Sequence, residues 1–201
     1  MLHTRCFAVL ITLGLTQFAA AAAPVAGDPY PLSTDAQTNQ PLGDKPVIHD
    51  HNGRELRFAN PESLEQFKKD PKAALTKVDE QIVAQQKPNY PTDKCLVSDE
   101  PLGDMGDPIE YVFNNRLVRL CCGGCKKGTA KKSAEVFQTL DAEVIKKQQA
   151  TYPLKTDVVT GEPLGEKPVD FVIGTTLVRF AKESSIEAFK ADPAKYLALV
   201  K

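Results

Sequence analysis

The chain lacks the marks of most catalytic machinery. It has no Gly-x-Ser-x-Gly elbow, no phosphate-cradling glycine loop and no His-Glu-x-x-His pair. Histidine is scarce: there are three in 201 residues, and beyond His3 only His49 and His51 remain. Neither lies near the later cysteines. Hydrolytic metal chemistry needs an open coordination position and a base, and no base neighbours those cysteines. The expectation is a protein that is not an enzyme. An excess of one charge is missing too. Lys and Arg number 25 against 26 Asp and Glu, a net charge of -1. That argues against nucleic acid or an anionic membrane surface as partner. Tryptophan is absent. No stretch after residue 23 is apolar enough to cross a bilayer, although 42% hydrophobic residues suffice for buried cores.

The one long apolar run is at the N-terminus. Arg5 precedes an almost uncharged stretch, Cys6 to Ala23, that closes on small residues before Pro24. This pattern predicts a secretory signal peptide over 1–23, cleaved near Ala21 to Ala26. An uncleaved anchor is the rival reading. The alanine-rich end favours cleavage, which makes the mature protein periplasmic or secreted, with no membrane contact. Cys6 leaves with the signal, and four cysteines remain in a compartment where disulfides form.

The rest of the chain repeats itself. Tyr30-Pro31-Leu32, Tyr90-Pro91 and Tyr152-Pro153-Leu154 each lead ten residues on to a Pro-Leu-Gly, at Pro41, Pro101 and Pro163. A further proline follows each, Pro46, Pro108 and Pro168, and then VIHDHNGRELRF, IEYVFNNRLVRL and VDFVIGTTLVRF. The period is about 60 residues. Asn52-Gly53, Asn114-Asn115 and Gly174-Thr175 tolerate the positive φ of a tight hairpin turn. Ile109, Tyr111 and Phe113 alternate as a half-buried strand should, as do Val169, Phe171 and Ile173. The return strands alternate less cleanly.

Helix signals follow each hairpin. Asn60-Pro61, Asp70-Pro71 and Asp192-Pro193 pair a capping side chain with a proline that has no N–H to orphan. In the first two repeats the second helix runs on as a polar arm to about Gln86 and Gln149, joining one repeat to the next. The expected fold class is α+β: three tandem small modules, each a β-hairpin followed by two helices, over 28–88, 89–150 and 151–201. Modules this small need a neighbour or a staple.

Only the middle repeat holds cysteine. Cys95 stands opposite Asp35 and Asp157, and Cys121 opposite Ala59 and Ala181. Cys122 stands opposite Asn60 and Lys182, and Cys125 opposite Ser63 and Ser185. The fold therefore does not need the sulfurs. A hairpin returns the chain on itself, so Cys95 before it and Cys121, Cys122 and Cys125 after it can meet. A Cys-x-x-Cys at a strand-to-helix turn is a half-site for zinc or a soft ion such as copper. Gly123-Gly124 lets the backbone wrap closely there, and helix N–H groups favour thiolate.

These features resemble the treble-clef-type YHS and TRASH domains, cysteine-rich modules associated with heavy-metal binding, trafficking and sensing. Their pattern is an early Cys, a hairpin, Phe-Cys-x-x-x-Cys, a Phe and a late Pro-x-x-Tyr. Cys95, Cys121 and Cys125 match the sulfur positions. The third repeat matches the tail through Phe180, Phe189 and Asp192-Pro193-Ala194-Lys195-Tyr196; the first matches through Asn52-Gly53, Phe58, Phe67 and Asp70-Pro71. Leu120 replaces a Phe, Cys122 is extra, and the front Cys-Pro-x-Cys is absent. The resemblance implies metal binding.

Three readings of the cysteines stay open: a metal site, structural disulfides, and thiol/disulfide exchange, which usually has a thioredoxin-type setting that is not visible here. Disulfides gain weight because Thr129 replaces Phe67 and Phe189, and Lys132-Ser133 replaces Asp-Pro. An eroded core of that kind would need a staple worth about 2–4 kcal/mol. The adjacent Cys121 and Cys122 are awkward in ordinary bridges. The preferred expectation is an exported protein that carries, buffers or senses zinc or copper through Cys95, Cys121, Cys122 and Cys125, with a protein partner for the flanking modules. His49 and His51 share a normally apolar strand face and are read as a polar replacement ahead of ligation. Lys126-Lys127 and Lys131-Lys132 are read as solvated faces that also favour thiolate. Arg57, Arg119 and Arg179 should pair with carboxylates of their own module.

Overall fold

Three tight turns build three hairpins. Asn52, Gly53, Asn114, Asn115 and Gly174 all carry positive φ, between 48° and 82°. At the third turn Gly174 alone takes that region, and Thr175 does not. The computed structural model describes residues 27–200, so the signal expectation over 1–23 lies outside the described residues. The hairpins are β1 (Val47–His51) with β2 (Arg54–Phe58), β3 (Ile109–Phe113) with β4 (Arg116–Leu120), and β5 (Val169–Ile173) with β6 (Thr176–Phe180). Each is an antiparallel two-stranded sheet, in matching register: Val47 faces Phe58, Ile109 faces Leu120, Val169 faces Phe180. Two α-helices follow each hairpin: α1 (Pro61–Lys69) and α2 (Pro71–Gln86), α3 (Cys125–Lys131) and α4 (Ser133–Gln148), α5 (Ser184–Ala191) and α6 (Pro193–Leu197). The class is mixed α+β.

Local signals explain most helix starts. The Asn60 side chain accepts from Ser63 N at 2.9 Å, with Pro61 at the first helical position. Asp192 does the same for Lys195 N. Asp70 does not cap: its exposed side chain makes no bond to α2. Phenylalanines fill the first and third cores. Phe58 meets Phe67 at 5.2 Å between ring centres, and Phe180 meets Phe189 at 5.5 Å. Burying each is worth roughly 1.5–3 kcal/mol. In the middle repeat Thr129 is buried in the equivalent place, and Phe137 of α4 packs on Phe113 instead, at 6.1 Å. The core is refilled from the next helix, not eroded.

The return strands lose their alternation because both faces are covered. Leu117 packs with Tyr90 and Leu140, and Leu177 with Val144 and Val172, while the opposite faces hold each hairpin's own core. The polar arms do this covering. Helix α2 buries Ala74, Val78, Ile82 and Gln86 along one face. Gln86 then treats the next hairpin as a strand partner: its amide donates to Asn115 O at 3.0 Å and accepts from Leu117 N at 2.7 Å. Gln148 repeats this on Thr175 O and Leu177 N, both at 2.8 Å. Gly174 is required here, since a Cβ would sit 2.4 Å from the Gln86 amide. The chain also closes between its ends. Arg57 donates to the α5 carbonyls of Lys190 and Ala191 at 2.8 and 2.7 Å.

Asp28 joins two hairpins. Its carboxylate takes the Arg116 guanidinium by a two-bond fork at 2.6 and 2.9 Å and also accepts from Gly174 N. Asp28 N donates to Asn114 O, and Asp28 O accepts from the Asn115 amide. The expected intra-repeat arginine pairs are present: Arg57 with Glu55 and Arg179 with Asp170 at 2.8 and 2.7 Å, and Arg119 with Glu110 at a looser 3.9 Å.

Candidate metal centre

The site begins with a turn that all three repeats share. Asp35, Cys95 and Asp157 each open a tight turn whose N–H bonds across to Gln40 O, Glu100 O and Glu162 O. Each turn is returned by a residue at positive φ, Asn39, Asp99 or Gly161, whose N–H bonds back to the opening carbonyl. The opening side chain points into a nest of backbone N–H groups. For Asp35 the donors are Gln37 N and Thr38 N, both at 2.8 Å, and Ala59 N at 2.7 Å from the end of β2. For Asp157 they are Val159 N, Thr160 N and Ala181 N. Such a nest selects an anion.

In the first and third repeats the anion is a carboxylate, and in the first a serine completes the knot. Ser63 Oγ donates to Asp35 at 2.7 Å, and Ser185 is buried in the equivalent place of the third repeat without a bond that meets the same geometry. Burial pushes both carboxyl groups up, but the neighbouring serine and the N–H donors more than offset it, leaving each below the ordinary 3.8. The folded state thus prefers the ionised form. That stability is fully present above the unfolded value and is lost as pH falls through the lower folded values. We expect Asp157→Asn and Asp35→Asn each to cost roughly 1–3 kcal/mol at pH 7 and to flatten the acid limb below pH 3.8. Thermal melts across that range check this; an unchanged limb contradicts it.

In the middle repeat the nest holds sulfur. Burial pushes the Cys95 thiol up. The Ser98 hydroxyl and the N–H groups of Cys121, Val97 and Ser98 outweigh it and bring the thiol down to about 6. Cys95 therefore favours thiolate at neutral pH. Cys121 ends the hairpin opposite Ala59, and Cys125 opens α3 opposite Ser63. The sulfurs of Cys95, Cys121 and Cys125 all lie within 4.8 Å of one another, and all three residues are buried. Cys121 to Cys125 is 3.8 Å. Ser98 Oγ reaches Cys121 Sγ at 3.3 Å. Burial, followed by the neighbouring sulfurs, pushes Cys125 up to about 12. A coordinating cation inverts that preference, since a metal-bound thiol is deprotonated.

Cys122 stands apart. It is partly exposed and outside the three-sulfur group, though its sulfur lies 3.8 Å from Cys125 Sγ. The N–H of Gly124 and then the Cys125 thiol lower its pKa. The spacings suit tetrahedral zinc: sulfurs about 2.3 Å from the ion lie about 3.8 Å from one another. Disulfide sulfurs lie at about 2.05 Å, and the four described cysteines are free thiols.

Several expected contributors play other parts. Gly123 and Gly124 take ordinary negative φ, and a Cβ at either meets its nearest neighbour at 3.9 or 3.8 Å, so they do not serve a tight wrap. Two of the four lysines are engaged away from the sulfurs. Lys126 lies over the Tyr111 ring and Lys132 pairs with Glu135. His49 and His51 pack edge-on against Phe67, at 6.1 and 5.2 Å, as half-buried parts of the first core. The glycine that matters is Gly128, where a Cβ would sit 2.5 Å from Val97 Cγ1. It lets α3 press against the turn whose N–H groups hold Cys95. We expect Gly128→Ala to weaken metal affinity about tenfold by displacing that turn, with Val97→Ala restoring it in the double variant. Chelator competition measures both, and an unchanged affinity in the single variant contradicts the assignment.

No family model, curated protein or solved structure matches this chain. Among the described residues no helix is long and apolar enough to cross a membrane.

Proposed function

We propose that this is an exported, non-catalytic metal-binding protein of three tandem YHS/TRASH-like modules, over 28–88, 89–150 and 151–201. The middle module holds one zinc or copper(I) ion. Cys95, Cys121 and Cys125 are its inner ligands and Cys122 the fourth. The protein carries, buffers or senses that ion in the periplasm or outside the cell, and its flanking modules scaffold the centre or meet a protein partner.

One observation carries the reading. Three buried sulfurs meet at the spot where the other two repeats fill an anion nest with Asp beside a buried Ser. A repeat that only needed the turn closed has that simpler solution twice over. Three sulfurs instead fit a soft or borderline cation, and the nest supplies the first thiolate. Disulfide stapling is the second reading, because thiols 3.8 Å apart in an exported protein are open to oxidation. The test is reconstitution of reduced protein followed by elemental analysis. About one Zn²⁺ or Cu⁺ per chain is expected, and none contradicts the proposal. Thiol titration of exported protein separates the two readings: a chelator releases metal-blocked thiols, whereas only a reductant releases disulfides.

A further inference from the structure

The four sulfurs are not equivalent in their access to solvent. Cys95 is 0% exposed, Cys121 3% and Cys125 8%. Cys122 is partly exposed, so one edge of the cluster faces outward. The residues covering that edge, Gly123 and Gly124, are exposed and have no side chains. Nothing but Ile109 Cδ1 and the Cys122 sulfur itself lies near the space their side chains would occupy. Lys126 and Lys127 follow on the exposed first turn of α3, and neither forms an ion pair among the described residues. The edge is therefore open to a small group and favours an anionic one. The inner three sulfurs are locked by the turn, the strand end and α3. Cys122 has no such enclosure.

Building on the metal-site reading, we infer that Cys122 is the exchangeable ligand of this centre, and that the ion enters and leaves by ligand exchange with an incoming thiolate. The incoming sulfur bonds to the ion while the bond from Cys122 breaks. The proton lost by the incoming thiol ends on Cys122, so total charge and the number of sulfurs on the ion are unchanged, and no electron is transferred. The donor or acceptor is a cysteine-bearing segment or a low-molecular-weight thiol, each of which presents one small sulfur group to the edge that the two exposed glycines leave uncovered.

The test uses the full chain loaded with Zn²⁺. Cys122→Ser should keep about one ion per chain and an affinity within about tenfold of the parent, while Cys121→Ser loses stoichiometric binding. Transfer to a reduced Cys-Gly-Gly-Cys peptide, followed by stopped flow, should speed up in proportion to peptide concentration. Glutathione at equal thiol concentration separates a two-sulfur from a one-sulfur acceptor, and acceleration by either supports the exchange. A transfer rate independent of acceptor concentration overturns it, because the ion would then be leaving into water. So does a Cys122→Ser affinity as poor as that of Cys121→Ser, which makes Cys122 an inner ligand and leaves the metal site standing. A parent protein that binds no Zn²⁺ overturns both readings.

Discussion

Replacing Cys121 or Cys125 by serine should abolish metal binding while the far-UV signal and the first and third cores remain. The size of the effect follows from the geometry. Each residue supplies one of three buried sulfurs within a common 4.8 Å, and a serine oxygen is a poor ligand for a soft ion. The tolerance follows from the repeats. Ala59 and Ala181 occupy the position of Cys121, and Ser63 and Ser185 that of Cys125. Buried Ser63 and Ser185 already show that the fold accommodates serine at the second position. Equilibrium dialysis with Zn²⁺, beside circular dichroism, reads both quantities. Collapse of the whole far-UV signal would point instead to a cysteine staple on which folding depends.

Arg116→Ala should cost about 3–5 kcal/mol in urea unfolding, because it leaves the Asp28 carboxylate buried without its charge partner. Both side chains are almost fully enclosed, with 5% and 7% of their surface exposed. Burial pushes the Arg116 guanidinium down, and the Asp28 carboxylate followed by Asp141 more than restores it, so the group stays charged. The same Asp28 accepts from Gly174 N in the third hairpin, so the loss should reach beyond the middle repeat. Deleting residues through Pro29 should have an effect of similar size. A change below about 1 kcal/mol would mean that the pair behaves as a surface salt bridge and does not join the hairpins.

The parts of this fold that were legible in the sequence are the local ones. Asn52-Gly53 and Asn114-Asn115 announce their turns because few residues accept positive φ, and Asn60-Pro61 announces α1 because capping is decided within four residues. The meeting of Cys95 with Cys121 and Cys125 was legible because a hairpin is the simplest way to close that loop. What stayed hidden is set by contacts between repeats. The uneven pattern of β4 reflects the cover that α2 and α4 provide, and nothing in β4 itself reports those helices. Asp28 meets Arg116 across 88 positions. Gly128 reads as a mid-helix weakness until Val97 is seen against it. The alignment of Cys95 with Asp35 and Asp157 was plain, but its meaning needed the N–H nest: the position calls for an anion, and thiolate is one that also binds metal.

The most direct measurement is X-ray absorption at the metal edge of the reduced protein loaded with zinc or copper(I). The expected result is a shell of three to four sulfurs at about 2.3 Å, falling by one when Cys122 is replaced by serine and lost with the ion when Cys95 is. A shell of nitrogen or oxygen with no more than one sulfur would place the ion elsewhere and contradict a centre built on these cysteines.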